Sequence, residues 1–268
     1  MNENCTRDIQ VSIVSHGQMR LIESLVYDLS LLECAKRLRI TITLNIEETV
    51  GTLPDKYPLH ISFIKNKTTK GFSKNHNHAF QTFPFKDERK YFLVLNPDIR
   101  IQDDVISPLV SALDSNDDIG AVAPVVKNKE GILEDSARDV PTWSQLFLKL
   151  FVGNRHQRQY SDSKCYPDWI AGMFMLFKAD TFKRIGGFDE AYFLYYEDVD
   201  ICSRLWLGGN VVQLDPSLSI VHDARRDSRK KIQYFMWHIA SMFRFFSSNV
   251  YKEIRRFHSV RGDRKKCR

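Results

Sequence analysis

Tyr91-Phe-Leu-Val-Leu-Asn-Pro-Asp98 joins five consecutive apolar residues to an abrupt polar stop. A run with no polar alternation reads as a strand buried on both faces, the position of a central strand in a covered sheet. Pro97 cannot donate to a ladder and ends the strand, which leaves Asp98 at its carboxyl edge. Outward from this stretch, further strands are predicted over Ile9–Ser15, Ile40–Asn45, Ile61–Ile64, Ala121–Val126, Met173–Phe177 and Val211–Leu214. Helices are predicted between them over Met19–Leu38, Ser73–Phe83, Asp103–Leu113, Trp143–Val152, Ala179–Ile185 and Asp198–Leu207. This alternation gives the α/β class, an open and largely parallel sheet whose ligands bind beyond the carboxyl ends of its strands.

The 268 residues, 43% hydrophobic and 27% charged, exclude collagen-like and wholly disordered chains. No repeat or long linker divides residues 1–223, which read as one domain. Residues 224–268 carry 14 basic and 3 acidic side chains within a net charge of +6, so a basic tail follows an acidic body. In that tail Ile232, Phe235, Met236, Ile239, Met242, Phe243 and Phe246 recur at helical steps and predict an amphipathic helix over Arg229–Asn249. Five scattered cysteines without a CxxC pair indicate neither a zinc ribbon nor a disulfide framework and suit a reducing compartment. The opening MNENCTRDIQ shows no signal-peptide pattern, and no stretch of about 18 apolar residues occurs, so neither classical secretion nor membrane spanning is expected.

Several residues carry chemistry in this frame. Asp98 at a strand end suits a hard cation such as Mg²⁺ or Mn²⁺, although Asn-Pro-Asp is equally a turn sequence. Glu197-Asp198-Val199-Asp200 opens a helix; three acids there complement the helix dipole, with Asp200 and Arg204 an i,i+4 pair, or they supply a general base. His222 joins a metal site only if Asp98 lies beside it. Ser15-His16-Gly17 follows the first strand, and Gly71-Phe-Ser-Lys-Asn-His-Asn77 enters a helix whose free amides suit a nucleotide.

Taken in order, Val11-Ser-Ile-Val-Ser-His-Gly17, Gly71–Asn77, Leu95-Asn-Pro-Asp98, Asp168-Trp-Ile-Ala-Gly-Met-Phe-Met175, Gly187-Phe-Asp-Glu190, Tyr195–Arg204 and His222 resemble the inverting glycosyltransferases of family 2. The resemblance is greatest to bacterial rhamnosyltransferases of O-antigen or related surface polysaccharides, and it spans nearly the whole chain. It implies a GT-A (Rossmann-like) fold with a mixed, mainly parallel sheet. It also implies that Asp98, within an Asn96-Pro97-Asp98 version of the DxD element, and His222 hold Mg²⁺ or Mn²⁺. Asp198 then matches the catalytic base and Glu197 its support. Ser15, His16, Asn45, Asn75 and Asn96 fall on the nucleotide side, and Trp169 and Gly172 on the acceptor and sugar pocket. Arg225 and Arg229 are cations for the departing diphosphate. Asn45-Ile46-Glu47 replaces the family's usual Asp-Asn pair, which leaves donor choice less determined than reaction class.

The expected reaction is transfer of L-rhamnose from dTDP-L-rhamnose to a lipid-linked saccharide at the inner face of the cytoplasmic membrane. A UDP-hexose donor and a non-catalytic membrane-associated scaffold are the alternatives. The basic amphipathic tail either lies on an anionic membrane surface as a peripheral anchor or packs on the body. No nucleic-acid recognition motif accompanies its charge, so nucleic acid is not an expected partner.

Overall fold

A computed structural model describes residues 8–51, 53–84, 88–144, 163–223 and 232–261. Its strands are β1 (Ile9–Ser15), β2 (Leu38–Leu44), β3 (His60–Lys65), β4 (Tyr91–Leu95), β5 (Ile99–Arg100), β6 (Ile119–Lys127), β7 (Ala137–Arg138), β8 (Trp169–Ile170), β9 (Phe174–Lys178) and β10 (Val211–His222). The described α-helices are α1 (Met19–Ser30), α2 (Leu53–Lys56), α3 (Phe72–Thr82), α4 (Ile106–Ser115), α5 (Ala179–Arg184), α6 (Glu197–Leu207), α7 (Ile232–Ser247) and α8 (Asn249–Arg261).

Eight strands form one sheet in the order β3-β2-β1-β4-β9-β6-β10-β5, and β7 pairs with β8 apart from it. The ladders joining β3, β2, β1 and β4 are parallel, as is β6 with β10, whereas β9 runs antiparallel between β4 and β6. Every residue of β1, β2 and β4 is buried, so both sheet faces are covered there, as the uninterrupted apolar run of β4 predicts. β3, at the sheet's edge, is only half-buried.

Two expectations need correction. The first helix stops at Ser30, and a 3₁₀ turn over Glu33–Arg37 replaces its expected second half. β10 runs on to His222 rather than ending at Leu214: a register shift between Asp215 and Ser219 absorbs Pro216, and Asp215 Oδ1 accepts from Ser217 N (3.1 Å) and Oγ (2.6 Å). The tail helix expected over Arg229–Asn249 is present over Ile232–Ser247, and a second, Asn249–Arg261, follows it. The helix expected over Trp143–Val152 lies, beyond residue 144, outside the described residues. Cys34 and Cys202 are free and buried.

Buried Asn77 fastens α3 to the loop before α6. Its Nδ2 donates to Phe188 O (2.8 Å) and its Oδ1 accepts from Phe188 N (2.9 Å). Gly187 lies at φ +69°, and a Cβ there would sit 2.5 Å from Asn77 Oδ1. Both substitutions Asn77→Ala and Gly187→Ala should therefore destabilise, each by about 1–3 kcal/mol in urea unfolding. The double variant should cost clearly less than their sum, because Asn77→Ala removes the clash; strict additivity would contradict this contact.

Candidate active site

The rim past β4 and β10 brings Asp98 and His222 into contact. β5 pairs antiparallel with the end of β10, placing His222 opposite Ile99, and Asp223 N donates to Asp98 O (2.8 Å). His222 Nε2 then lies 3.2 Å from Asp98 Oδ2 and Nδ1 lies 2.8 Å from Glu134 Oε2. Burial works against charge on this imidazole, but the hydrogen bonds to Asp98 and Glu134 outweigh it and push its pKa up to about 9. Asp98 Oδ1 is buried and has no hydrogen-bond partner among the described residues.

Asp198 belongs to the same rim through the backbone. The peptide leading into β9 makes two bonds one residue apart: Met173 O accepts from Asn96 N (2.9 Å), and Gly172 N donates to Asp198 Oδ2 (3.2 Å). Asn96 lies two residues before Asp98, so one short segment ties the Asp98 turn to the start of α6. A Cβ on Gly172 would sit 3.2 Å from the Phe72 ring and 3.7 Å from Asp198 Cβ, so a larger residue crowds this approach.

α6 begins under strain. Tyr195 (φ 71°) and Tyr196 (φ 66°) are consecutive non-glycine residues in the left-handed region, a conformation that persists only where packing enforces it. They aim the first turn so that Asp198 Oδ1 accepts from Val199 N (2.9 Å) while Oδ2 meets Gly172. Glu197 is buried, and its Oε2 has no hydrogen-bond partner among the described residues. Burial, together with the neighbouring Asp198 charge, holds the Glu197 pKa well above the usual carboxylate range. Burial raises Asp198 also, but the Val199 and Gly172 amides and the Arg138 charge favour its ionised form. Val199, Cys202 and Trp206 face the core, and Asp200 pairs with Arg204 at 2.7 Å, as the helix pattern predicts.

The remaining predicted residues divide. Ser15 ends β1 and His16 follows it, and Ser15 Oγ accepts from Gln18 N (3.1 Å). Asn45 Oδ1 accepts from Lys70 N (2.9 Å) and Asn66 Nδ2 (2.8 Å), and Asn66 Nδ2 also donates to Asn75 Oδ1 (2.7 Å). Asn45 and Asn75 are thus buried in a network that fixes the loop before α3, with His16 against Asn45 at 3.3 Å. Trp169 donates from Nε1 to Asp139 O (3.1 Å) and carries Arg138 5.4 Å above its ring. Arg225 and Arg229 lie outside the described residues.

Two side chains escaped the sequence reading, Glu134 on His222 and Arg138 beside Asp198. Glu134 comes from the irregular segment after β6 and Arg138 from the two-residue β7, too short for a periodicity to mark a face. Acids and bases lying between strands were the only available signal. Among the described residues no group of three His, Cys, Asp or Glu side chains is arranged to hold a metal. Glu134 and Asp98 take opposite nitrogens of one ring, so only Asp98 and His222 face a shared point. A carboxylate with a free buried oxygen beside an imidazole nonetheless fits a Mg²⁺ or Mn²⁺ ion whose other ligands come from phosphate and water.

This sheet, with its rim beyond the carboxyl ends of β1 and β4, has the GT-A glycosyltransferase fold. A mannosyltransferase from Pyrobaculum calidifontis, solved with GDP-Man and Mn²⁺, matches it with a TM-score of 0.61 at 15% identity, over 94% of this chain and 68% of that one. In sequence, the chain is 28% identical over 249 residues to the rhamnosyltransferase WbbL of Escherichia coli (strain K12), covering 89% of this chain and 92% of the relative. It is 27% identical over 175 residues to the N-acetylglucosaminyl-diphospho-decaprenol L-rhamnosyltransferase of Mycobacterium tuberculosis, covering 61% of this chain but 56% of that longer protein. No family model matches. In sequence the chain is thus similar to rhamnosyltransferases, in line with the resemblance of its motifs to family 2.

The proton on Glu197 gives a test independent of catalysis. Its folded pKa lies above the unfolded value, so the folded state binds the extra proton and stability falls as pH rises from about 4 toward the folded pKa. Glu197→Gln mimics the neutral form and removes that loss. Its melting temperature should exceed that of the native chain at neutral pH, with the gain vanishing near about pH 4. A variant less stable than the native chain at neutral pH would contradict a neutral Glu197.

Proposed function

We propose that the chain is an inverting glycosyltransferase that moves L-rhamnose from dTDP-L-rhamnose to a lipid-linked saccharide in surface-polysaccharide synthesis. The observation that carries this is the meeting of Asp98 and His222 on a rim to which Gly172 also ties Asp198. The names of the two sequence relatives support the sugar, and that of the mycobacterial one supports a lipid-diphosphate-linked acceptor.

In this reading Asp198 accepts the proton of the acceptor hydroxyl as that oxygen attacks the anomeric carbon opposite the nucleotide. Burial raises Asp198 toward the working range of a general base, and the Gly172 and Val199 amides hold its two oxygens in place. Glu197, whose pKa burial and the Asp198 charge raise, takes on a second charge beside it less readily. Asp98 and His222 hold Mg²⁺ or Mn²⁺, which when bound neutralises charge on the departing diphosphate. Glu134 accepts from His222 Nδ1 and so leaves Nε2 turned toward Asp98. Ser15, His16 and Asn96 border the nucleotide, whose loop Asn45 and Asn75 keep in shape. Arg225 and Arg229 supply further cations for the diphosphate. Trp169 and Gly172 shape the acceptor and sugar pocket. The site faces the inner side of the cytoplasmic membrane, where such acceptors are presented.

The test is transfer from a panel of nucleotide sugars to a lipid-linked acceptor. Transfer should require dTDP-L-rhamnose, stop in EDTA and return with Mg²⁺ or Mn²⁺. Equal transfer from UDP-hexoses would overturn the donor, full activity in EDTA the metal roles, and no transfer from any donor would favour a scaffold. Glu134→Ala should raise the Mn²⁺ concentration needed by about 10- to 100-fold, and Glu134→Gln, whose amide oxygen still accepts, by much less.

A further inference from the structure

The tail packs on the body through one face of α7 and leaves another face of that helix bare. One face of α7 is spent on the body. Trp237 stacks on Phe193 (ring centroids 4.4 Å apart), Ser241 Oγ donates to Leu194 O (2.8 Å), and Phe245 lies fully buried against Tyr196 (5.7 Å). Arg244 ties the same helix to Asp189 (2.8 Å). α8 adds Ile254, fully buried.

The other face is left bare. Ile232 is 82% exposed, Phe235 64%, Met236 58% and Phe243 55%, all at helical spacing. Trp143, itself 40% exposed, extends the patch by packing on Phe246 (4.3 Å) and lying 6.2 Å from Phe243. Large apolar side chains grouped on a surface mark an interaction site, whereas scattered ones do not. α7 contains no acidic residue. The sequence entering it, Arg225-Arg-Asp-Ser-Arg-Lys-Lys231, holds five basic residues and one acidic, and α8 exposes Lys252, Arg255 and Arg256 against one acid, Glu253.

We propose that this face of α7, with Trp143, is the surface by which the protein seats itself on an anionic lipid bilayer. Aromatic and aliphatic side chains enter the headgroup boundary while the exposed Lys252, Arg255 and Arg256 meet the lipid phosphates. Charge selects this occupant over a second copy of the chain, because a two-fold contact would bring the same basic flank against itself. Among the described residues no helix is long and apolar enough to cross a membrane, so the seat is superficial. The inward face of α7 packs on residues 193–196, which lead directly into Glu197 and Asp198. The same helix therefore holds the base-bearing edge at the bilayer, where a lipid-linked acceptor is presented. Only that last consequence rests on the transferase reading.

The test is co-sedimentation of the full chain with mixed phosphatidylcholine–phosphatidylglycerol vesicles and with pure phosphatidylcholine vesicles. The native chain should bind the mixed vesicles and release in high salt. The variant Phe235→Ser/Met236→Ser/Phe243→Ser should lose at least about tenfold in binding with unchanged melting temperature, since these side chains are exposed. Lys252→Gln/Arg255→Gln/Arg256→Gln, all exposed on α8, should weaken binding to the anionic vesicles specifically. Native-like vesicle binding by the first variant would overturn the proposal. So would a native chain that ignores vesicles but sediments as a dimer that the same variant dissociates. Transfer to a water-soluble acceptor, which needs no vesicle, is measured alongside: its absence in the native chain counts against the transferase reading and leaves lipid docking standing.

Discussion

Two hydrogen bonds on adjacent residues hold the candidate site together. Asn96 N to Met173 O registers the Asp98 turn against the strand that enters antiparallel beside it, and Gly172 N to Asp198 Oδ2 fixes the first turn of α6 to that same strand. Reversing one strand in an otherwise largely parallel sheet accomplishes this. A parallel β9 would bring its end, not its beginning, to the carboxyl edge of β4, and Gly172 would lie at the far side of the sheet. Asn96 and Met173 thus become neighbours through backbone pairing, and Asp198 joins them through its carboxylate.

The rim carries two acidic groups of different electrostatic character. At Asp98, His222 and Glu134 the carboxylates face an imidazole and stabilise its charge. At Glu197 and Asp198 burial disfavours charge, and only Asp198 has amide donors on both oxygens to oppose that. The first arrangement suits a cation and the second suits accepting a proton. The cost of the second is visible in the left-handed Tyr195–Tyr196 pair, held down by α7 from outside.

Much of this was legible in the residue pattern. The apolar run at Tyr91–Leu95, the proline stop after it and the acid-rich start of α6 are local signals, and local signals fix strand and helix identity. What escaped notice was non-local or irregular. β10 continues past a proline because a register shift absorbs it. Glu134 and Arg138 reach the rim from a segment without period. The apolar positions in the tail predicted one face turned one way, yet Phe246 turns inward and Phe243 outward, because the body covers only part of the helix. Asn45 and Asn75, read as nucleotide contacts, spend their amides on each other's loop through Asn66, a network that sequence spacing does not reveal.

The single-turnover rate of sugar transfer by Asp198→Asn, at saturating donor and metal, tests the central claim most directly. The amide keeps the shape of the side chain but accepts no proton, so the rate should fall by about 10²- to 10⁴-fold while donor and Mn²⁺ binding stay unchanged. Transfer within a few-fold of the native rate would contradict the placement of the base at the start of α6.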